Sequence, residues 1–223
     1  KESFFAIDYL PGTNHILYSA DKGGNEINHI YLMYEDGKIS DLTPGENEKA
    51  SFAGWSKDKK SMYYISNKRN PKFFDFYKMK VDTWKSEMLY QNDNGINISD
   101  MSEDETWFSF SQTITTSENK LFLTNRIDKS TIELSVEPGS YSSSGFSNDN
   151  KYFFFITDVG EEFSYLVKYE IETGKEEVLF QTNWDVMYSY LSESEKYRVT
   201  AVNEDGKNTL FIKNVVNNSD VFF

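Results

Sequence analysis

An all-β fold made of repeated four-stranded units is what this sequence predicts, and three observations predict it. The first is composition: 18 Phe, 15 Tyr and 4 Trp stand against 5 Ala and 12 Leu in 223 residues, so strand formers prevail over helix formers. The second is a turn signature that returns along the chain, as Trp55-Ser56-Lys57-Asp58, Met101-Ser102-Glu103-Asp104, Phe146-Ser147-Asn148-Asp149 and Leu191-Ser192-Glu193-Ser194. Its Ser residues at 56, 102, 147 and 192 are 46, 45 and 45 apart, and one more step back of 45 reaches Pro11. The third is order within the period, where short apolar and aromatic runs recur in the same sequence and no segment carries a ten-residue amphipathic helix pattern.

Each period opens with an apolar strand that enters the Ser turn, beginning with 3–8. A second, aromatic-rich strand leaves it, at 16–20, 62–66, 107–111, 152–156 and 197–201. After a longer polar loop comes a third, at 30–34, 74–79, 120–123, 165–169 and 209–212. Tight turns rich in Asp, Thr and Gly, such as Glu35-Asp36-Gly37-Lys38 and Glu172-Thr173-Gly174-Lys175, lead to short fourth strands at 39–42, 87–90, 131–134, 178–180 and 221–223. Four antiparallel strands in about 45 residues are the unit of a β-propeller, whose blades pack face to face because one sheet cannot bury its aromatic face alone. The expected blades are 1–45, 46–91, 92–135, 136–181 and 182–223, together one propeller domain, either a closed ring or an arc of a larger one. An arc would leave edge strands open to oligomerisation.

Charge narrows the partners. With 36 acidic and 23 basic side chains the net charge is -13, which repels phosphate backbones and anionic lipid, so neither nucleic acid nor a membrane is expected as a partner. No stretch approaches the ~20 apolar residues of a membrane-spanning helix. The absence of Cys removes disulfides, thiolate nucleophiles and Cys-ligated zinc. Asn203-Glu204-Asp205-Gly206 and Asn92-Asp93-Asn94-Gly95 offer oxygen ligands without the alternating spacing of a calcium loop, so they are read as turns, and no metal or other cofactor is expected. The first residue is Lys1, which suggests processed or trimmed material.

Four stretches resemble a family. They are Gly23-Gly24-Asn25-Glu26-Ile27-Asn28-His29-Ile30-Tyr31, Asp41-Leu42-Thr43-Pro44, Gly54-Trp55-Ser56-Lys57-Asp58, and Ser66-Asn67-Lys68-Arg69-Asn70-Pro71-Lys72-Phe73-Phe74-Asp75-Phe76-Tyr77. They resemble the non-catalytic N-terminal propeller of serine peptidases of the prolyl oligopeptidase, dipeptidyl peptidase and acylaminoacyl peptidase group; TolB-like propellers share the Trp-Ser-x-Asp turns. The resemblance implies a propeller that caps a C-terminal α/β-hydrolase domain and restricts its active site to peptides; a periplasmic or secreted bacterial location is our expectation for such an enzyme. No Gly-x-Ser-x-Gly nucleophile elbow is present; the Ser-rich stretch 139–145 has Tyr141 where the first Gly would stand. No catalytic residue is therefore expected in this chain, and the alternative is a stand-alone TolB-like propeller that binds another protein.

The candidate residues for facing substrate or partner are Glu26, Asn28, His29 and Arg69. Glu26 and its neighbours Asn25, Asn28 and His29 form the sharpest polar cluster, on a loop between strands, where a carboxylate could pair with a peptide N-terminus; the competing reading is a hairpin loop in which Gly23 and Gly24 permit positive φ. Arg69, in a basic run that Pro71 marks as a loop, could hold a carboxylate in bidentate fashion. Trp55 and Trp184 are expected to fill the wedges between blades rather than stack on a ligand.

Overall fold

The computed structural model describes residues 4–93 and 95–222, and the described residues form five antiparallel four-stranded sheets. The first sheet is β1 (Phe4–Tyr9), β2 (Ile16–Ala20), β3 (His29–Met33) and β4 (Ile39–Asp41); the second is β5 (Ala50–Trp55), β6 (Ser61–Asn70), β7 (Phe73–Lys80) and β8 (Ser86–Tyr90). The third is β9 (Asn97–Met101), β10 (Trp107–Thr113), β11 (Asn119–Asn125) and β12 (Thr131–Glu133), and the fourth is β13 (Tyr141–Phe146), β14 (Tyr152–Thr157), β15 (Tyr165–Glu170) and β16 (Glu176–Phe180). The fifth is β17 (Asp185–Leu191), β18 (Tyr197–Glu204), β19 (Lys207–Asn214) and β20 (Ser219–Val221). Every sheet is a meander in chain order, and together they are the blades of an all-β propeller fold. The chain forms two compact units, Lys1–Gly95 with the first two sheets and Ile96–Phe223 with the other three. Ser3, Asn94 and Phe223, expected in the first strand, a turn and the last strand, lie outside the described residues.

The repeated Ser is the hub of each turn. Ser102 Oγ donates to Asp104 Oδ1 at 2.7 Å and accepts the Trp107 amide at 2.8 Å, while the Glu105 amide reaches the Ser102 carbonyl at 2.9 Å. Ser56 and Ser147 repeat this arrangement with Asp58 and Asp149. The Lys60 amide and the Ser56 hydroxyl hold Asp58 below the usual carboxylate range, and the Ser147 hydroxyl does the same for Asp149. The fourth position of the turn is left-handed every time, with φ of 58° at Lys59, 60° at Glu105, 59° at Asn150 and 53° at Glu195, a conformation that the surrounding hydrogen bonds hold in non-glycine residues. Ser102 is fully buried. Replacing it with Ala is expected to leave the Trp107 amide unsatisfied and cost about 1–3 kcal/mol. A urea midpoint within error of the parent would show that water replaces the hydroxyl.

The first repeat is shifted in phase relative to expectation. The Leu10 amide donates to the His15 carbonyl at 2.9 Å and the Thr13 amide to the Leu10 carbonyl at 3.0 Å, the backbone ring that Ser56 closes with Ser61 and Lys59. Leu10 rather than Pro11 therefore holds the Ser position. In the last blade, β18 and β19 run on to a two-residue turn at Asp205 and Gly206, both at positive φ, where a longer polar loop was expected. The closing strand is β20 (Ser219–Val221), two residues earlier than the expected 221–223.

Sheets are buried against one another through their second and third strands. Leu17, Leu32, Met62, Tyr64 and Met79 join the first two sheets in one core, with Tyr64 stacked on Tyr77 at 5.2 Å. In β14 the two-residue side-chain period supplies two cores at once: Phe153 and Phe155 pack with Leu121 and Leu123 of the third sheet, and Phe154 and Ile156 with Val186 and Val202 of the fifth. Trp55 packs beside the first core and donates its indole N–H to Asp8 at 2.9 Å. Trp184, just before β17, is 37% exposed and its ring meets that of Phe163 in the connection between β14 and β15 at 6.2 Å, so it packs between the fourth and fifth sheets at their rim rather than in their core.

Candidate functional site

All four candidate residues belong to the first unit. Glu26 is exposed in the connection between β2 and β3, at φ 60°, after Gly23 and Gly24 at 67° and 80°. Its amide donates to Asp21 Oδ2 at 2.8 Å, so buried Asp21 caps this loop and leaves the Glu26 side chain on the surface. His29 is on β3 and buried; its Nδ1 lies 2.8 Å from Asp41 Oδ2, Asp41 Oδ1 accepts the Thr43 amide, and Thr43 Oγ1 accepts the Ile30 amide. The sequence quoted as Asp41-Leu42-Thr43 is thus the partner of the His29 strand. His29 Nε2 is buried and has no hydrogen-bond partner among the described residues.

Arg69 stands in a strand rather than in a loop. β6 continues through Lys68, Arg69 and Asn70 and returns into β7 by a tight turn at Pro71, with a register shift between Ser66 and Asn70. The physical reason is Asp75, fully buried on β7. Arg69 Nε donates to Asp75 Oδ2 at 2.7 Å and a terminal nitrogen donates to Asp75 Oδ1 at 2.8 Å, a bidentate pair. The same nitrogen reaches the Asn92 carbonyl at 3.0 Å and Asp93 Oδ1 at 3.1 Å. The Asn92 amide and the Tyr77 hydroxyl also donate to Asp75. Burial pulls Asp75 upward, but the guanidinium and the Asn92 amide outweigh it and hold the carboxyl below its usual range. Bonding to Asp75 raises Arg69, and burial followed by the Asp75 charge pushes the Tyr77 phenol up to about 12. The carboxylate that Arg69 grips is internal.

The structure brings two of the resembling stretches together. The Ala50 amide donates to the Asn28 carbonyl at 2.8 Å, and the adjacent Lys49 amide donates to Asn67 Oδ1 at 2.6 Å. The segment that starts the second sheet is therefore clasped by Asn28 from the first sheet and by Asn67, two residues before Arg69. Lys68 lies 3.9 Å from the Tyr77 ring centroid and donates to the Tyr64 hydroxyl at 2.9 Å, which closes the same region with a cation–π contact. Sequence reasoning read Asn92 and Asp93 as a turn and Asp75 only as part of a family stretch, and joined none of them to Arg69. The available signal was a carboxylate inside the aromatic run Phe73-Phe74-Asp75-Phe76-Tyr77, which, if turned inward, calls for a cation or several hydrogen-bond donors. Among the described residues, no group of three or more His, Asp or Glu is placed to hold a metal ion.

Repeated four-stranded sheets, Ser-centred turns and the clasp between the first two sheets define a chain of the β-propeller class. The family described as prolyl oligopeptidase, N-terminal beta-propeller domain, matches residues 5–222, and the chain belongs to it. Similar solved structures include a prolyl endopeptidase studied for inter-domain dynamics, with a TM-score of 0.69 and 14% identity over 100% of this chain and 35% of the other. Prolyl oligopeptidase B from Galerina marginata bound to a 25mer macrocyclization substrate gives 0.65 and 13% over 99% and 35%. TolB from Acinetobacter baumannii gives 0.65 and 16% over 92% and 51%. The chain spans about half of that TolB and about a third of the peptidases. At these identities the likeness is one of fold. No curated protein matches the sequence.

Proposed function

We propose that this chain is the non-catalytic propeller of a prolyl-oligopeptidase-like serine peptidase, gating peptide access to a C-terminal α/β-hydrolase domain encoded beyond Phe223. The carrying observation is the family match over 5–222, seen beside peptidase chains of which this sequence covers only 35%. The role of the propeller in this reading is geometric, since blades around a channel pass extended peptides and exclude folded proteins, and a net charge of -13 disfavours acidic ones. The Arg69–Asp75 pair, with its carboxylate buried, and the His29–Asp41 contact serve the rigidity of that gate, and exposed Glu26 is the candidate that remains free to meet a peptide amine.

The test is the size and labelling of the native gene product in extracts of the source organism, detected by antibody to this chain. The expected product is far heavier than 26.0 kDa and is labelled by a serine-directed covalent probe, while this chain alone leaves chromogenic Ala and Pro peptides uncut. A product near 26 kDa with no labelling would overturn the reading. It would favour the second one, a stand-alone protein-binding propeller, which the likeness to TolB over 92% of this chain supports.

A further inference from the structure

Arg198 occupies a position that the other sheets give to an apolar side chain. It pairs with Leu191 across the fifth sheet, as Met62 pairs with Trp55, Phe108 with Met101 and Phe153 with Phe146. Met62, Phe108 and Phe153 are all 0% exposed, and Arg198 is only 7% exposed. Burial of a guanidinium calls for an anion. Yet no carboxylate forms an ion pair with Arg198 among the described residues. Its guanidinium carbon lies 4.0 Å from the Phe154 ring centroid, and one terminal nitrogen donates to Ser189 Oγ at 3.3 Å. A guanidinium carries five N–H donors, so four are left without a hydrogen-bond partner among the described residues.

Those donors belong to a cavity of about 470 Å³ between the fourth and fifth sheets, at the end that carries the Ser147 and Ser192 turns. Phe154, Leu179, Leu191 and Val215 give it an apolar lining. Lys168 is paired with Glu177 at 2.5 Å and Asp149 with Lys151 at 3.4 Å, which leaves Arg198 and Lys213 as cations against Glu195 as an anion, a local excess of positive charge in a chain of net charge -13. Glu195 disfavours a multiply charged phosphate; one carboxylate matches the single excess charge. Burial pulls the guanidinium down to about 10, partly offset by Glu195, so it stays cationic at neutral pH. The volume falls within the range of small-molecule sites.

We propose that this cavity binds an amphipathic monocarboxylate, its carboxylate on the fork of Arg198 and its apolar body against Phe154 and Leu179. Such a ligand is either a free organic acid or the C-terminal carboxylate of a peptide ending in a large apolar residue. The proposal does not depend on the gating role.

The test is calorimetric titration of the purified protein with 3-phenylpropionate and with Ala-Ala-Phe, each beside its C-terminal amide. A charge-assisted pair predicts that at least one acid binds about tenfold or more tightly than its amide. Preference for phenylpropionate identifies a free acid as the occupant, and preference for the tripeptide identifies a chain end. Arg198→Met, which installs the residue found at position 62, is expected to abolish binding and to melt no lower than the parent. Arg198→Lys keeps the charge without the fork and is expected to weaken binding. Equal affinity for acid and amide, full binding by Arg198→Met, or no binding of any probe at about 10 mM overturns the proposal.

Discussion

Arg69→Met is expected to cost about 3–5 kcal/mol at pH 7, because it leaves the carboxylate of Asp75 buried without its cation. Asp75 has no exposed surface, whereas Arg69 is partly exposed, so removing the cation is the harsher change. The dependence on pH has a definite sign. In the parent, Asp75 has a depressed pKa, so the stability of the pair is fully present above the unfolded carboxyl value of about 3.9 and is lost as the pH falls through the lower folded value. In the variant, burial acts on Asp75 without the guanidinium and raises its pKa, so protonation relieves the penalty and the gap to the parent narrows as the pH falls below about 5. Urea midpoints at pH 7 and pH 4 measure both effects. A loss under about 1 kcal/mol at pH 7, with no narrowing in acid, would mean that Asp75 is solvated and Arg69 is free for an external carboxylate.

Phe153→Ala is expected to cost about 3–5 kcal/mol, the range for emptying a fully buried Phe site. Phe153 lies 4.8 Å from the Phe146 ring and shares a core with Phe155, Leu121 and Leu123, all rigid or branched groups that fill the space poorly when it is vacated. Trp184→Ala is the comparison, since Trp184 is 37% exposed where Phe153 is 0%, and it should cost clearly less than Phe153→Ala. Chemical denaturation followed by tyrosine and tryptophan fluorescence distinguishes the two. A Phe153→Ala variant as stable as the Trp184→Ala variant would refute the core assignment.

Most of the fold was legible because the repeat expresses itself in side chains. The Ser hubs at 56, 102, 147 and 192 have hydroxyls that bond the turn, and the aromatic second strands follow them at fixed distance. Legibility fails where the backbone keeps a role and the side chain does not: Leu10 closes the same hydrogen-bonded ring with no hydroxyl to mark it, so spacing pointed one residue too far along. It fails again at Lys68, Arg69 and Asn70, where a basic run before Pro71 has the composition of a loop. The strand persists there because Asp75, five residues beyond the turn's first residue Asn70, draws Arg69 inward. Among the candidate residues, the sequence located the loop of Glu26 but put His29 in that loop, whereas it is the first residue of β3. The inward commitment of Arg69 and the partnership of His29 with Asp41 depend on which strands lie side by side, and no local pattern encodes that.

The alternation in β14 has a consequence for how the second unit comes apart. Its sheet contributes Phe153 and Phe155 to one neighbour and Phe154 and Ile156 to the other, so it owns no private core. Stability in such a stack is a property of junctions, nearly additive from one junction to the next, as in a one-dimensional array. Fraying can start at an outer member and stop at the next junction, whereas release of the middle member requires two junctions to fail together. The fourth sheet therefore acts as the keystone of its unit, the last part to yield and the first that must be in place for its neighbours to hold.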